Sequence, residues 1–86
     1  MYDVRLSAKA QDFYRKADKP LAGKLARCFE RLEQEPHFHP NIKPLKGSLA
    51  GSNRYRVGDY RVIYRIDDPQ QVVHVLKIAH RSEVYE

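Results

Sequence analysis

Apolar and polar residues alternate with a period of two at both ends of the chain and with a helical period between. Tyr2, Val4 and Leu6 alternate with Asp3 and Arg5, which predicts a short opening strand. Ser7 then caps a helix from Ala8 to Ala17, in which Ala10, Phe13, Tyr14 and Ala17 share one face while Lys9, Gln11, Asp12, Arg15 and Lys16 point outward. Asp18-Lys19-Pro20 turns the chain into a second helix, with Pro20 in its first turn. Leu21, Leu25, Cys28, Phe29 and Leu32 form its apolar stripe and Pro36 ends it, so the two helices pair as an antiparallel hairpin. From His37 to Asn53 the breaks at Pro40, Pro44, Gly47 and Gly51 predict one long loop, which carries Lys43 and Lys46.

The segment from Arg54 to Arg81 parses into three strands, rich in Val, Ile and Tyr, separated by Gly58-Asp59 and by a turn around Asp67-Asp68-Pro69. With Gly58 and Asp59 as loop residues, Val57 pairs with Tyr60, Arg56 with Arg61 and Arg54 with Ile63. A turn centred on Pro69 pairs Ile66 with Val72, hence Arg61 with Lys77 and Val57 with Arg81. Residues opposite one another share a face. One face then carries Arg54, Arg56, Arg61, Arg65, Lys77 and Arg81, with Ile63, Val73, Val75 and Ala79 among them. The other carries Tyr55, Val57, Val62, Tyr64, Ile66, Val72, Leu76 and Ile78, interrupted by His74 and His80. Together the elements predict an α+β fold: a small antiparallel sheet with an N-terminal two-helix hairpin packed on one face, in a single domain spanning residues 1–86.

Like charges opposite one another weaken a sheet by a few tenths to about 1 kcal/mol per pair. So many cations on one face, with almost no carboxylate between them, suit a polyanion, and arginine offers forked donors that match phosphate. The net charge of +5 and a pI near 9.5 point the same way, toward an acidic partner or nucleic acid. No apolar run approaches a membrane-spanning length, and no signal peptide precedes the first strand. Cys28 is the one cysteine; it forms no internal disulfide, fits a reducing cytoplasm, and on the apolar stripe reads as a small core residue. His37-x-His39 lies in a loop with neither cysteine nor further spaced ligands, so neither a metal nor another cofactor is expected.

Three segments carry a resemblance that spans essentially the whole chain. Leu45-Lys46-Gly47, Tyr55-Arg56-Val57-Gly58-Asp59-Tyr60-Arg61-Val62-Ile63-Tyr64 and Ala79-His80-Arg81-Ser82-Glu83-Val84-Tyr85, set in this order of elements, resemble the RelE toxins of the RelE/ParE superfamily. The resemblance implies the toxin of a type II toxin–antitoxin system, which enters the ribosomal A site and cuts mRNA. It also implies a small cognate antitoxin with an acidic C-terminal segment, through which the complex binds its own operator DNA. Carried over by position, Arg61 and Arg81 match the phosphate-handling arginines and Tyr85 the C-terminal tyrosine of the active site. Arg54 and Arg56 stand where some relatives have lysines, and arginine, with a pKa above about 12, is a poor proton acceptor. The other readings are a ParE-like gyrase inhibitor without nuclease activity and a non-catalytic RNA-binding domain.

Metal-independent RNA cleavage needs an acceptor for the ribose 2′-OH proton, cations around the developing charge and help for the leaving 5′-oxygen. Arg61 and Arg81 supply the charge. His80, Glu83 and Tyr85, near the end of the last strand, and Lys46 in the loop are the titratable candidates for the proton, although the pairing above puts His80 on the core face. Tyr85 could instead stack on a base. Lys43, Lys46, Arg54, Arg56 and Lys77 complete the phosphate-binding candidates.

Overall fold

Two side-chain caps start the two helices. In the computed structural model, which describes residues 1–85, Ser7 Oγ accepts from the Ala10 amide at 3.0 Å and opens α1 (Ala8–Lys16). Asp18 Oδ1 accepts from the Leu21 amide at 2.9 Å and opens α2 (Lys19–Gln34), with Pro20 in its first turn. Glu86, the last residue of the predicted domain, lies outside the described residues. Around the helices run β1 (Asp3–Leu6), β2 (Ile42–Pro44), β3 (Asn53–Val57), β4 (Tyr60–Asp67) and β5 (Val72–His80), in one sheet of order β1-β5-β4-β3-β2.

The helices cover one face of that sheet. Leu25, Cys28 and Leu32 from the α2 stripe and Ala10 from α1 pack on Tyr55, Val62, Tyr64, Val73, Val75 and Ile78. Burial pushes the Cys28 thiol up to about 12, so it is protonated and inert at neutral pH. The Tyr64 hydroxyl, raised by burial, donates to the Pro36 carbonyl at 2.8 Å and ties the end of α2 to the sheet.

The β3–β4 hairpin has the predicted register: Val57 pairs with Tyr60, Arg56 with Arg61 and Arg54 with Ile63. Gly58 has φ of 58°, the positive value that the first loop position of a II′ turn requires. Elsewhere the sheet departs from expectation in three ways. It is mixed rather than antiparallel, because β1 lies parallel to β5, with Val4 beside Val73 and Leu6 beside Val75. No turn joins β1 to that neighbour, so nothing local in the sequence set its direction. The predicted loop from His37 to Asn53 contains β2, with Lys43 opposite Arg54, and a 3-10 turn at Gly47–Leu49. Pro44 is tolerated because β2 is an edge strand.

The third departure is the β4–β5 register. Asp67, not Ile66, pairs with Val72, because Gln71 takes φ of 57° and shortens the loop by one residue. A bulge opposite Ile63/Tyr64 then adds Leu76 to β5, so Ile63 faces Lys77 and Arg61 faces Ala79 rather than Lys77. Between loop and bulge every β5 side chain is on the face opposite to the predicted one. Val73 and Val75, expected among the cations, are in the core, while His74 and Leu76 are exposed and Val72, though buried, lies outside the core cluster under the helices. β5 ends at His80, so Arg81 does not pair with Val57; its amide donates to the Asp59 carbonyl at 2.8 Å.

At the opposite end a clasp joins β1 to two loops. The Tyr2 hydroxyl donates to Asp68 Oδ1 at 2.5 Å, and His37 Nε2 lies 2.9 Å from the same oxygen. The hydrogen bond from Tyr2, then that from His37, holds the Asp68 carboxyl below the usual aspartate range. A depressed carboxyl stabilises the fold above its ordinary pKa and loses that contribution as pH falls through it, below about 4. Asp68→Asn is therefore expected to lower Tm at pH 7, where the contribution is present, and to flatten the acid limb of a plot of Tm against pH, so that variant and wild type converge as pH falls below about 4. An acid limb identical to that of the wild type would show that the clasp carries no linkage.

Candidate functional site

The face of the sheet away from the helices collects arginines from two strands and a tail. β3 and β4, locked in register by the Gly58-Asp59 turn, put Arg56 directly opposite Arg61, with Arg54 one pleat along opposite Ile63. β2 continues the Arg54 row with Lys43, and β5 ends it with Lys77 opposite Ile63. Arg61 Nη1 donates to the carbonyls of Gly58 and Tyr60, both at 2.9 Å, which fixes the guanidinium at the hairpin end.

Arg61 is the electrostatic centre. Its pKa is lowered first by partial burial, then by the cations of Arg54 and Arg56; Tyr85 acts in the opposite sense and Arg81 adds a further lowering. It stays cationic near neutrality all the same. These are the groups that share its field: three more arginines and a tyrosine. Arg81 Nε makes a long ion pair with Asp59 Oδ1, at 3.9 Å, with both side chains largely exposed. Arg54 is held by the Asn41 carbonyl at 3.3 Å. A concentrated positive field with little internal neutralisation attracts an anion and stabilises negative charge that develops on it.

The tail reaches this site through a turn. The His80 carbonyl accepts from the amides of Glu83 at 2.8 Å and Val84 at 3.0 Å, Val84 is buried, and Tyr85 emerges 58% exposed beside the arginines. His80 itself points elsewhere. Its ring packs edge-on against Tyr60, centroids 5.4 Å apart, on the side of the sheet where Phe13 of α1 meets Tyr60. Its Nδ1 accepts from the Ser82 amide at 3.2 Å, which leaves the proton of the neutral ring on Nε2. The sheet thus separates His80 from Arg61 and brings Arg54, Arg56, Arg61, Arg81 and Tyr85 together. Lys46 is exposed where the chain enters the 3-10 turn. Arg65 stands further along β4, where its Nε donates to Ser52 Oγ at 3.0 Å.

Sequence reasoning missed Lys9. It reads as an outward helical lysine, yet it lines a pocket with Lys77 and Tyr85. The Ser7 hydroxyl donates to the Leu76 carbonyl at 2.8 Å, so the cap of α1 is anchored over the bulge. The two loop histidines are engaged away from this face, His37 with Asp68 and His39 stacked on Tyr55 at 5.2 Å. No group of three or more His, Cys, Asp or Glu that could hold a metal occurs among the described residues, nor does any helix long and apolar enough to cross a membrane.

The family model for the ParE toxin of the parDE type II toxin–antitoxin system matches residues 4–85. Toxin RelE of Mycobacterium tuberculosis is 39% identical over 85 residues, covering 98% of this chain and 86% of the relative. Toxin RelG of the same organism is 36% identical over 85 residues, covering 98% and 95%. The archaeal RelE–RelB complex from Pyrococcus horikoshii contains a chain that superposes with a TM-score of 0.82 at 26% identity, over 96% of this chain and 98% of the other. The chain belongs to the RelE/ParE superfamily and is a toxin of a type II toxin–antitoxin system, of the RelE family.

Proposed function

We propose that this toxin is a metal-independent endoribonuclease that cleaves mRNA in the ribosomal A site and so stops translation. The observation that carries the reading is Arg61, set in the joint field of Arg54, Arg56 and Arg81 with Tyr85 beside it. In such cleavage the ribose 2′-oxygen attacks the adjacent phosphorus, the 5′-oxygen leaves, and negative charge builds on the non-bridging oxygens. Arg61 and Arg81 act on that charge; Arg54, Arg56 and Lys43 hold the flanking phosphates. With arginine at positions 54 and 56 and His80 behind the sheet, we assign the proton at the scissile bond to Tyr85, which shares the field of Arg61, ahead of Glu83 and Lys46. The partner that silences the toxin is a small antitoxin whose acidic segment covers the cationic face, and that antitoxin carries the complex to its operator DNA. An mRNA substrate on translating ribosomes sets the site of action in the cytoplasm.

Primer extension on an mRNA under translation tests the reading. New 5′ ends are expected within ribosome-bound codons, absent when ribosomes are omitted and suppressed by the antitoxin. Arrest of translation with intact mRNA would overturn it. Arrest of DNA replication while translation continues would instead favour gyrase inhibition, the activity that the resemblance to ParE implies.

A further inference from the structure

We propose that the toxin receives one unstacked nucleobase of its RNA substrate in a pocket beside the arginine cluster, walled by Leu49, Ile63, Leu76, Val84 and Tyr85. The proposal rests on the ribonuclease reading and deepens it by assigning the groups that set base preference. The pocket has a volume of about 460 Å³, within the roughly 300–1,000 Å³ range of small-ligand sites. The 3-10 turn supplies Ser48 and Leu49, the tail supplies Val84 and Tyr85, and Ile63 and Leu76 lie on the adjacent strands β4 and β5.

The bulge creates this pocket. An unbroken β5 would send alternate side chains through the sheet, but the extra residue at Leu76 lets both Leu76 and Lys77 line the same cavity. Leu76 is left 37% exposed in an interior strand, one of few large apolar side chains so exposed. Bulges next to functional sites commonly re-aim a side chain in this manner.

Tyr85 connects the pocket to the charge: it forms part of the wall and also lies in the field of Arg61. An RNA strand whose phosphate is held at Arg61 therefore has its neighbouring base at the pocket mouth. The lining suits a base, since aromatic and aliphatic walls match its flat faces while Ser48 and the ammonium of Lys9 stand where its polar edge would be read. An acidic peptide would be drawn by the arginines and by Lys9 and Lys77, but its carboxylates would leave the five apolar walls unused, whereas a base fills them with its flat faces.

Cleavage positions are mapped by primer extension across several translated mRNAs for the wild type, Leu76→Ala and Leu49→Ala, with antitoxin affinity and Tm measured for each. Both residues are at least partly exposed, and two variants guard against one failing to fold. The wild type is expected to prefer one base at a fixed distance from the broken bond. Both variants should still cut but with that preference weakened roughly fivefold or more, the lower end of what one stacked base contributes. A wild type without base preference, or a preference unchanged in both variants, would overturn the pocket and leave the ribonuclease reading standing. Unchanged preference with weakened antitoxin binding would show that the pocket holds a protein side chain and would overturn it equally. If the wild type arrests translation without cutting mRNA, the ribonuclease reading fails, and the pocket fails with it.

Discussion

Arg61→Ala is expected to slow cleavage of translated mRNA roughly a hundredfold to a thousandfold, the usual effect of removing one donor aimed at transition-state charge. Three features make Arg61 the position to test. It is fixed by two backbone carbonyls, it lies opposite Arg56, and it feels Arg54, Arg56, Arg81 and Tyr85. Arg81→Ala should give a loss of the same order, because its guanidinium shares the field of Arg61 and, among the described residues, pairs with Asp59 only at 3.9 Å. Arg65→Ala is the control, on the same face but bound to Ser52 further along β4, and should stay within about twofold of the wild type. Replacing an exposed side chain typically changes stability by within about 0.5 kcal/mol, or less than about 5 °C in Tm for a domain of this size. Single-turnover cleavage on programmed ribosomes and a melting curve for each variant check this. Equal losses in all three would mean that the face acts as a diffuse field with no defined site.

Leu25→Ala is expected to act in the opposite way, destroying the fold rather than the chemistry. Leu25 has no exposed surface and sits where α2 meets the sheet. Truncating a fully buried leucine costs about 2–5 kcal/mol, transfer and cavity together. For a domain of this size that is a drop of roughly 10–30 °C in Tm, against a total stability of about 5–15 kcal/mol. Toxicity should fall with the folded fraction and return on cooling, whereas that of Arg61→Ala should not. Leu21→Ala, at a half-buried position on the same stripe, should cost distinctly less. Circular-dichroism melts decide; a drop below about 4 °C for Leu25→Ala would mean that the core does not close around it.

The parts of the fold that were legible in the sequence are those whose cause is local. The caps at Ser7 and Asp18, the stripe ending in Leu32, and the Gly58-Asp59 turn each act within a few residues, and each has the expected effect. The β4–β5 register was not legible because two small irregularities had to be known. A positive φ at Gln71 moved the pairing by one residue, and the bulge at Leu76 moved it by another. Beyond the bulge the two shifts sum to an even number, so Arg61 and Lys77 keep the predicted face although their partners change. β2 was hidden by the prolines that an edge strand tolerates, and the direction of β1 by the absence of a connecting turn. At the site, Arg54, Arg56 and Arg61 could be placed from hairpin counting alone. That His80 lies behind the sheet also followed from parity, whereas the contribution of Lys9 depends on tertiary packing of α1 over β5 and leaves no sequence signal.

The parallel pairing of β1 with β5 has a consequence during synthesis. Val4 and its neighbour Val73 are 69 positions apart. At about 5–20 residues per second, a nascent chain carries β1 without its partner for several seconds. Contacts so distant in sequence are also slow to close once both strands exist. The helices can form early, but Arg61, Arg81 and Tyr85 come together only after β5 has docked between β1 and β4. A ribosome making this protein therefore does not meet a finished arginine cluster until its own work on these strands is done. An antitoxin waiting nearby meets the helical layer first, before there is any cationic face to cover.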